Sequence, residues 1–220
     1  MKQSGKVDSV GAVRRTFLVA AGLVPLALTS LVAGVPTVAE AAEAPPPPPY
    51  KGGFAVDGTL GTYAPVGRLK HITSPGPWAR LTLGWEFTKW LGVFGAFDAA
   101  FLSTDRASPP PGERGYVLWG FGGGVRLSLP LGTRWRIPAR FEIGAHKAED
   151  NGVLATYAFT DAQSFGVSLG AMTGLEWRAA SRHFGIALEG GVRSDSSMKN
   201  SVRAEAPLAI LAGLIVRYTL

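Results

Sequence analysis

The chain has 220 residues, 46% of them hydrophobic, with 29 Gly, 16 Pro and no Cys, and its formal net charge is +6. That length suits one good-sized domain. The absence of Cys excludes a disulfide scaffold and thiol-based metal sites or catalysis. Basic residues form no run or helical stripe beyond the N-terminus, which argues against a nucleic-acid partner.

The first 44 residues have the layout of a secretory signal. Lys2, Lys6, Arg14 and Arg15 form a basic region, and an apolar stretch follows from Phe17 to about Val35. Small residues then offer cleavage sites at Ala39-Glu40-Ala41 and Ala42-Glu43-Ala44. A retained membrane anchor is the alternative, but Pro25 and Pro36 break the apolar run. The stretch "RRTFLVA" is similar to a twin-arginine export signal, although an ordinary charged leader explains it as well. We expect residues 1–41 to be a cleaved signal peptide, 42–50 a proline-rich spacer and 51–220 the folded domain. Five consecutive prolines, Pro45–Pro49, favour extended polyproline II. They read as a stiff spacer more readily than as a ligand for a proline-recognising partner.

Beyond Lys51 there is no helical period. Eight alternating segments are punctuated by turns: Gly53–Tyr63, Pro77–Phe87, Trp90–Leu102, Gly115–Leu129, Arg134–His146, Gln163–Arg178, His183–Ser194, and about Ala206 to Leu220. Short links ("TK", "PLGT", "AASR") alternate with long polar ones that begin near Ala64, Ser103, Lys147 and Asp195. Tight turns at one end and long loops at the other are the pattern of a transmembrane β-barrel. The predicted fold is therefore all-β, an eight-stranded antiparallel up-and-down transmembrane barrel.

Residue parity sorts the side chains. Leu81, Leu83, Trp85 and Phe87 share one face of the second segment, and Arg80, Thr82, Gly84 and Glu86 share the other. The fifth segment sends Trp135, Ile137, Ala139, Phe141 and Ile143 one way and Arg136, Arg140 and Glu142 the other. The eighth opposes Leu214, Val216, Tyr218 and Leu220 to Arg217 and Thr219. Asp57, Asp98, Arg126, Glu176, Arg178, Glu189 and Arg193 fall on the polar parity of their segments. An Arg or Lys facing lipid near the bilayer midplane costs about 2–4 kcal/mol, so the charged parity must face the lumen. A one-residue slip would invert the whole strand.

Six acids (Asp57, Glu86, Asp98, Glu142, Glu176, Glu189) then meet six arginines (Arg80, Arg126, Arg136, Arg140, Arg193, Arg217) inside. Such a balance predicts a paired network filling the interior, whereas a selective pore shows one sign in excess. Gly120, Gly122, Gly124, Gly166, Gly170, Gly174, Gly185 and Gly191 share the inward parity and make room for it. "GFGGG" is no nucleotide loop, because no helix follows it. An aromatic belt is expected from Trp85, Trp90, Trp135, Trp177 and Tyr218 at the short-turn end, with Trp78, Phe101, Tyr116 and Phe165 at the other.

Taken together, the leader, the eight alternating segments and the last one, "ILAGLIVRYTL", resemble the small eight-stranded bacterial outer-membrane barrels, OmpA/OmpX-like or OmpW-like. The resemblance implies residence in the outer membrane after export through the periplasm. It also implies outer-membrane lipids as neighbours and recognition of the C-terminal strand by the barrel assembly machinery. The final Leu220 departs from the usual Phe, and a periplasmic tether domain is not expected. Function is expected to be structural or adhesive, through the long loops, without enzymatic activity and without a cofactor or metal. The alternatives are a narrow channel for small or hydrophobic solutes, a lipid-modifying enzyme using His71, Ser74 and a loop acid, and a soluble lipocalin-like barrel with the opposite parity inside. His146 and His183 complete the set of histidines. Lys147–Gly152 reads as a polar turn more readily than as a cation site.

Overall fold

The computed structural model describes residues 52–108, 115–149, 152–179, 183–202 and 207–220. The signal and proline-run expectations lie outside them. Eight strands form in the described part: β1 (Gly53–Pro65), β2 (Gly76–Glu86), β3 (Leu91–Ser103), β4 (Gly115–Leu131), β5 (Trp135–Ala148), β6 (Gly166–Arg178), β7 (Phe184–Asp195) and β8 (Leu208–Thr219). Each pairs antiparallel with its sequence neighbour, and β1 pairs with β8, so the sheet closes into an up-and-down barrel. Closure removes every free sheet edge, as a bilayer requires. Among the described residues no helix is long and apolar enough to cross a membrane; the strands do the crossing.

Side-chain alternation explains both faces. Leu60, Leu83, Phe141, Ile143, Leu188 and Leu214 are among the many large apolar residues left exposed on the outer surface. A continuous apolar surface of this kind marks a membrane-facing band and is incompatible with a soluble barrel. Pro138 tests the ladder, since it has no N–H to donate. The hydroxyl of Thr173, outward-facing on β6, donates to the Pro138 carbonyl at 2.9 Å and so stays satisfied away from water.

At the short-turn end β2 and β3 are joined through Thr88, whose Oγ1 accepts from the Trp90 and Leu91 amides. The β4–β5 turn uses Gly132 at φ +81°, a left-handed conformation that suits glycine. The long connections carry structure that the polar reading of them did not foresee. Leu69–His71 and Ser196–Met198 form single 3₁₀ turns, and Gly152–Thr156 forms a one-turn helix, α1. Behind α1, Ala158 takes φ +66°, and its carbonyl accepts from both the amide and the hydroxyl of Ser201. The third and fourth long loops are thereby tied to each other.

Candidate functional site: the lumen and its cap

An eight-stranded barrel is only just wide enough for side chains to fill, and here they do. At the short-turn end Glu86 accepts from Arg178 at 2.9 Å and from Arg217 at 2.8 Å. Arg178 also donates to Glu176, and the other oxygen of that carboxylate takes Arg126. One layer further in, Asp57 accepts two bonds from Arg217 and one from Arg140, with Arg126 at 3.7 Å. The far side of Arg140 meets Glu189 at 3.0 Å.

Arg126 and Arg140 are direct cross-strand partners, a like-charge pair that only the surrounding carboxylates make tolerable. In the middle of the barrel Arg80 pairs with Glu142, and the ring of Phe94 lies 5.5 Å from the Arg80 guanidinium and 5.8 Å from that of Arg140. Both distances suit cation–π contact.

The third layer, toward the long loops, centres on Asp98. It accepts from Arg193 and from the indole of Trp78, and its other oxygen bonds His146 Nε2 at 2.7 Å. His146 Nδ1 in turn bonds Ser168 at 2.7 Å. Asp195 accepts from Arg193 and from the phenol of Tyr63. All of these ion-paired side chains are at most 8% exposed.

Eleven of the twelve predicted lumen residues occupy this column. Arg136 does not: it sits at the short-turn rim, donating to the Lys89 carbonyl. Its place inside is filled by Arg178. Asp195, read as the start of a loop, is the last residue of β7 and buried. His146, expected at a strand–loop junction, points inward from β5.

Trp78 and Tyr116 are corrected as well. Both are buried in the lumen, Trp78 against Asp98 and Tyr116 beside Thr73, instead of joining an outer belt. Phe101 and Phe165 do face outward, as do Trp85, Trp90, Trp135 and Tyr218. Trp177 is half-buried and lies directly opposite Trp135.

Small residues face the bulkiest groups. Gly120 stands opposite Asp98 on one side and His146 on the other. A methyl group there would run into the Ala145 carbonyl and the imidazole ring. Gly120→Ala is therefore expected to destabilise the folded barrel by about 1–3 kcal/mol. The urea midpoint of the refolded protein, followed by gel mobility, reads the effect, and an unchanged midpoint would contradict the packing argument.

Above the charged layers the long loops fold back over the mouth. Leu69 and Ile72 from the first, Ala107 from the second, Leu154, Phe159 and Ala162 from the third and Met198 from the fourth are all buried. They form one cluster with Tyr63, Leu102, Tyr116, Leu118 and Leu211 of the barrel wall. Two spaces among the charges, one beside Asp57 and one beside His146, are about 10 Å³ each. Each holds a single water at most.

The catalytic set considered from sequence does not assemble: Ser74 donates to Asp105, and the His71 ring takes no part. Ser168, His146 and Asp98 do form a hydrogen-bonded row, but it is sealed inside the wall. The candidate cation turn includes Asp150 and Asn151, which lie outside the described residues.

No protein-family model and no curated protein matches the chain. Among solved structures, Neisserial surface protein A (NspA) aligns with a TM-score of 0.55 at 13% identity, over 75% of this chain and 96% of that one. OprG from Pseudomonas aeruginosa gives 0.44 at 11% identity, over 78% and 97%. Ail, the attachment invasion locus protein of Yersinia pestis, gives 0.42 at 12% identity, over 77% and 97%. The likeness to NspA concerns architecture alone: this chain has the fold of the small eight-stranded outer-membrane barrels.

Proposed function

We propose that the protein is an integral barrel of the bacterial outer membrane, non-enzymatic, with a closed interior and a structural or adhesive role exercised through its long loops. The observation that carries this reading is the filled lumen: layers of paired charge under an apolar cap, with spaces of only about 10 Å³ beside Asp57 and beside His146. Loops held on a rigid scaffold are where such a protein meets partners, and their ligand class is not encoded in any motif. The non-enzymatic reading is supported by the burial of the Ser168–His146–Asp98 row beside a space too small for any lipid. Outer-membrane lipids are the proposed neighbours of the apolar band. The alternation of β8 between Ile210, Leu214, Val216 and Tyr218 outside and Arg217 inside suits recognition by the assembly machinery.

Ion and small-solute flux through the barrel, refolded into liposomes and verified by heat-shifted gel mobility, tests the closed lumen. The expected result is no conductance above protein-free liposomes. Sustained conductance by a correctly folded barrel would replace this reading with that of a narrow channel.

A further inference from the structure

The three short connections contain no acidic residue, whereas the long loops mix Asp105, Glu149 and Asp161 with basic groups. At the short-turn mouth this bias falls on a concavity of about 430 Å³. The strand residues that line it, Gly53, Pro130, Arg136, Arg178 and Thr219, share the inward parity, so it belongs to the barrel mouth and not to the lipid face. Lys89 from the β2–β3 turn and Arg136 from β5 line it together, and the Arg136 guanidinium donates to the Lys89 carbonyl at 3.0 Å. Arg178, 5% exposed, lines it as well, and so does His183, whose Nδ1 lies 2.7 Å from the Thr219 carbonyl. The Thr219 hydroxyl has no hydrogen-bond partner.

A basic rim alone needs only water. Here the charge balance says more. Asp57, Glu86, Glu176 and Glu189 are engaged by Arg126, Arg140, Arg178 and Arg217. Arg136 stands opposite Glu176 in the register, yet the two oxygens of that carboxylate are taken by Arg178 and Arg126. Four acids against four arginines leave Lys89 and Arg136 as two positive side chains in excess among the described residues of this mouth. An ammonium and a guanidinium sharing one pocket repel each other, and an anion held by both removes the repulsion.

We propose that this mouth is a binding site for a small soluble phosphate monoester, its phosphate held by Lys89 and Arg136 and its organic part against Pro130 and Ala179. Charge selects the occupant, since a phosphate monoester carries close to two negative charges at neutral pH and matches the excess. Volume agrees, because about 430 Å³ lies in the range of small-molecule sites. Short turns of outer-membrane barrels face the periplasm, so with the barrel placed as above the ligand arrives from that side.

Calorimetric titration of the full folded barrel in uncharged detergent, at constant ionic strength, tests the site with phenyl phosphate as the probe. Saturable binding of one molecule per barrel is expected, with phenyl sulfate, of similar shape and single charge, at least several-fold weaker. Lys89→Gln and Arg136→Gln should each weaken phenyl phosphate binding roughly tenfold, the size of one charged hydrogen bond, while Lys89→Arg preserves it. Lys70→Gln, in the first long loop, should leave it unchanged. No saturable binding overturns the proposal. Equal affinity for phenyl sulfate overturns the phosphate assignment, and an equal loss in Lys70→Gln or none in Lys89→Gln overturns the location. Heat-shifted mobility confirms that each variant is folded. Because conductance is measured separately, failure here is distinguishable from failure of the closed-barrel reading.

Discussion

Replacing Asp57 by asparagine is expected to lower barrel stability by about 3–5 kcal/mol, the cost of breaking a buried ion pair from one side. Asp57 is 1% exposed and takes three hydrogen bonds from Arg217 and Arg140, with Arg126 close by. Asparagine conserves the volume, so no cavity accompanies the loss of charge. What remains is three guanidinium groups sharing fewer anions in a space with almost no water. The refolded protein's urea midpoint in detergent or lipid vesicles measures the effect. A change below about 1 kcal/mol would mean that the lumen is far more hydrated than its packing indicates. The double variant Asp57→Asn with Arg217→Met should recover part of the loss, because it removes an unpaired cation along with its partner.

The second large effect is on the opposite face. Leu188→Arg places a guanidinium on the outer surface of β7 between Leu175 and Leu214, all three exposed. In a bilayer that substitution should cost about 2–4 kcal/mol and reduce the yield of heat-shifted barrel on refolding into lipid. On a soluble barrel with the same outline it would be neutral and would increase solubility. Folding into phospholipid vesicles, compared between wild type and variant, therefore tests which solvent the apolar face was built for. Equal yields and equal midpoints would overturn the membrane orientation.

How much of this was legible in the sequence follows from where a period of two operates. The strands and their two faces were readable because every spanning segment alternates, and a charge on the wrong parity is costly enough to settle the direction. The same rule, applied to its end, would have placed the residues that were missed. Asp195 continues the series Glu189, Gly191, Arg193; His146 continues Arg140, Glu142; and Trp78 precedes Arg80 by two. Trp78 and Tyr116 fit the expectation of an outer belt because an aromatic near a strand end satisfies it whichever way it points. The cap was not legible. Leu69, Ala107, Leu154, Phe159 and Met198 come from four separate connections, without periodicity, in stretches dominated by polar residues. Their convergence is a property of the closed barrel, which sets all four loops around one mouth.

The layout of the charges bears on how the barrel assembles. Asp57 on the first strand is bonded by Arg217 on the last and by Arg140 on the fifth; Glu86 on the second strand is bonded by Arg178 on the sixth and Arg217 on the eighth. These bonds span the lumen and the seam between the terminal strands, so a sheet lacking β8 leaves the Asp57 and Glu86 carboxylates without Arg217. An open sheet then holds two carboxylates that only the last strand neutralises fully. Seam closure and the neutralisation of Asp57 and Glu86 by Arg217 coincide, and unfolding should be all-or-none, with no populated open sheet and one transition seen alike by tryptophan fluorescence and by gel mobility.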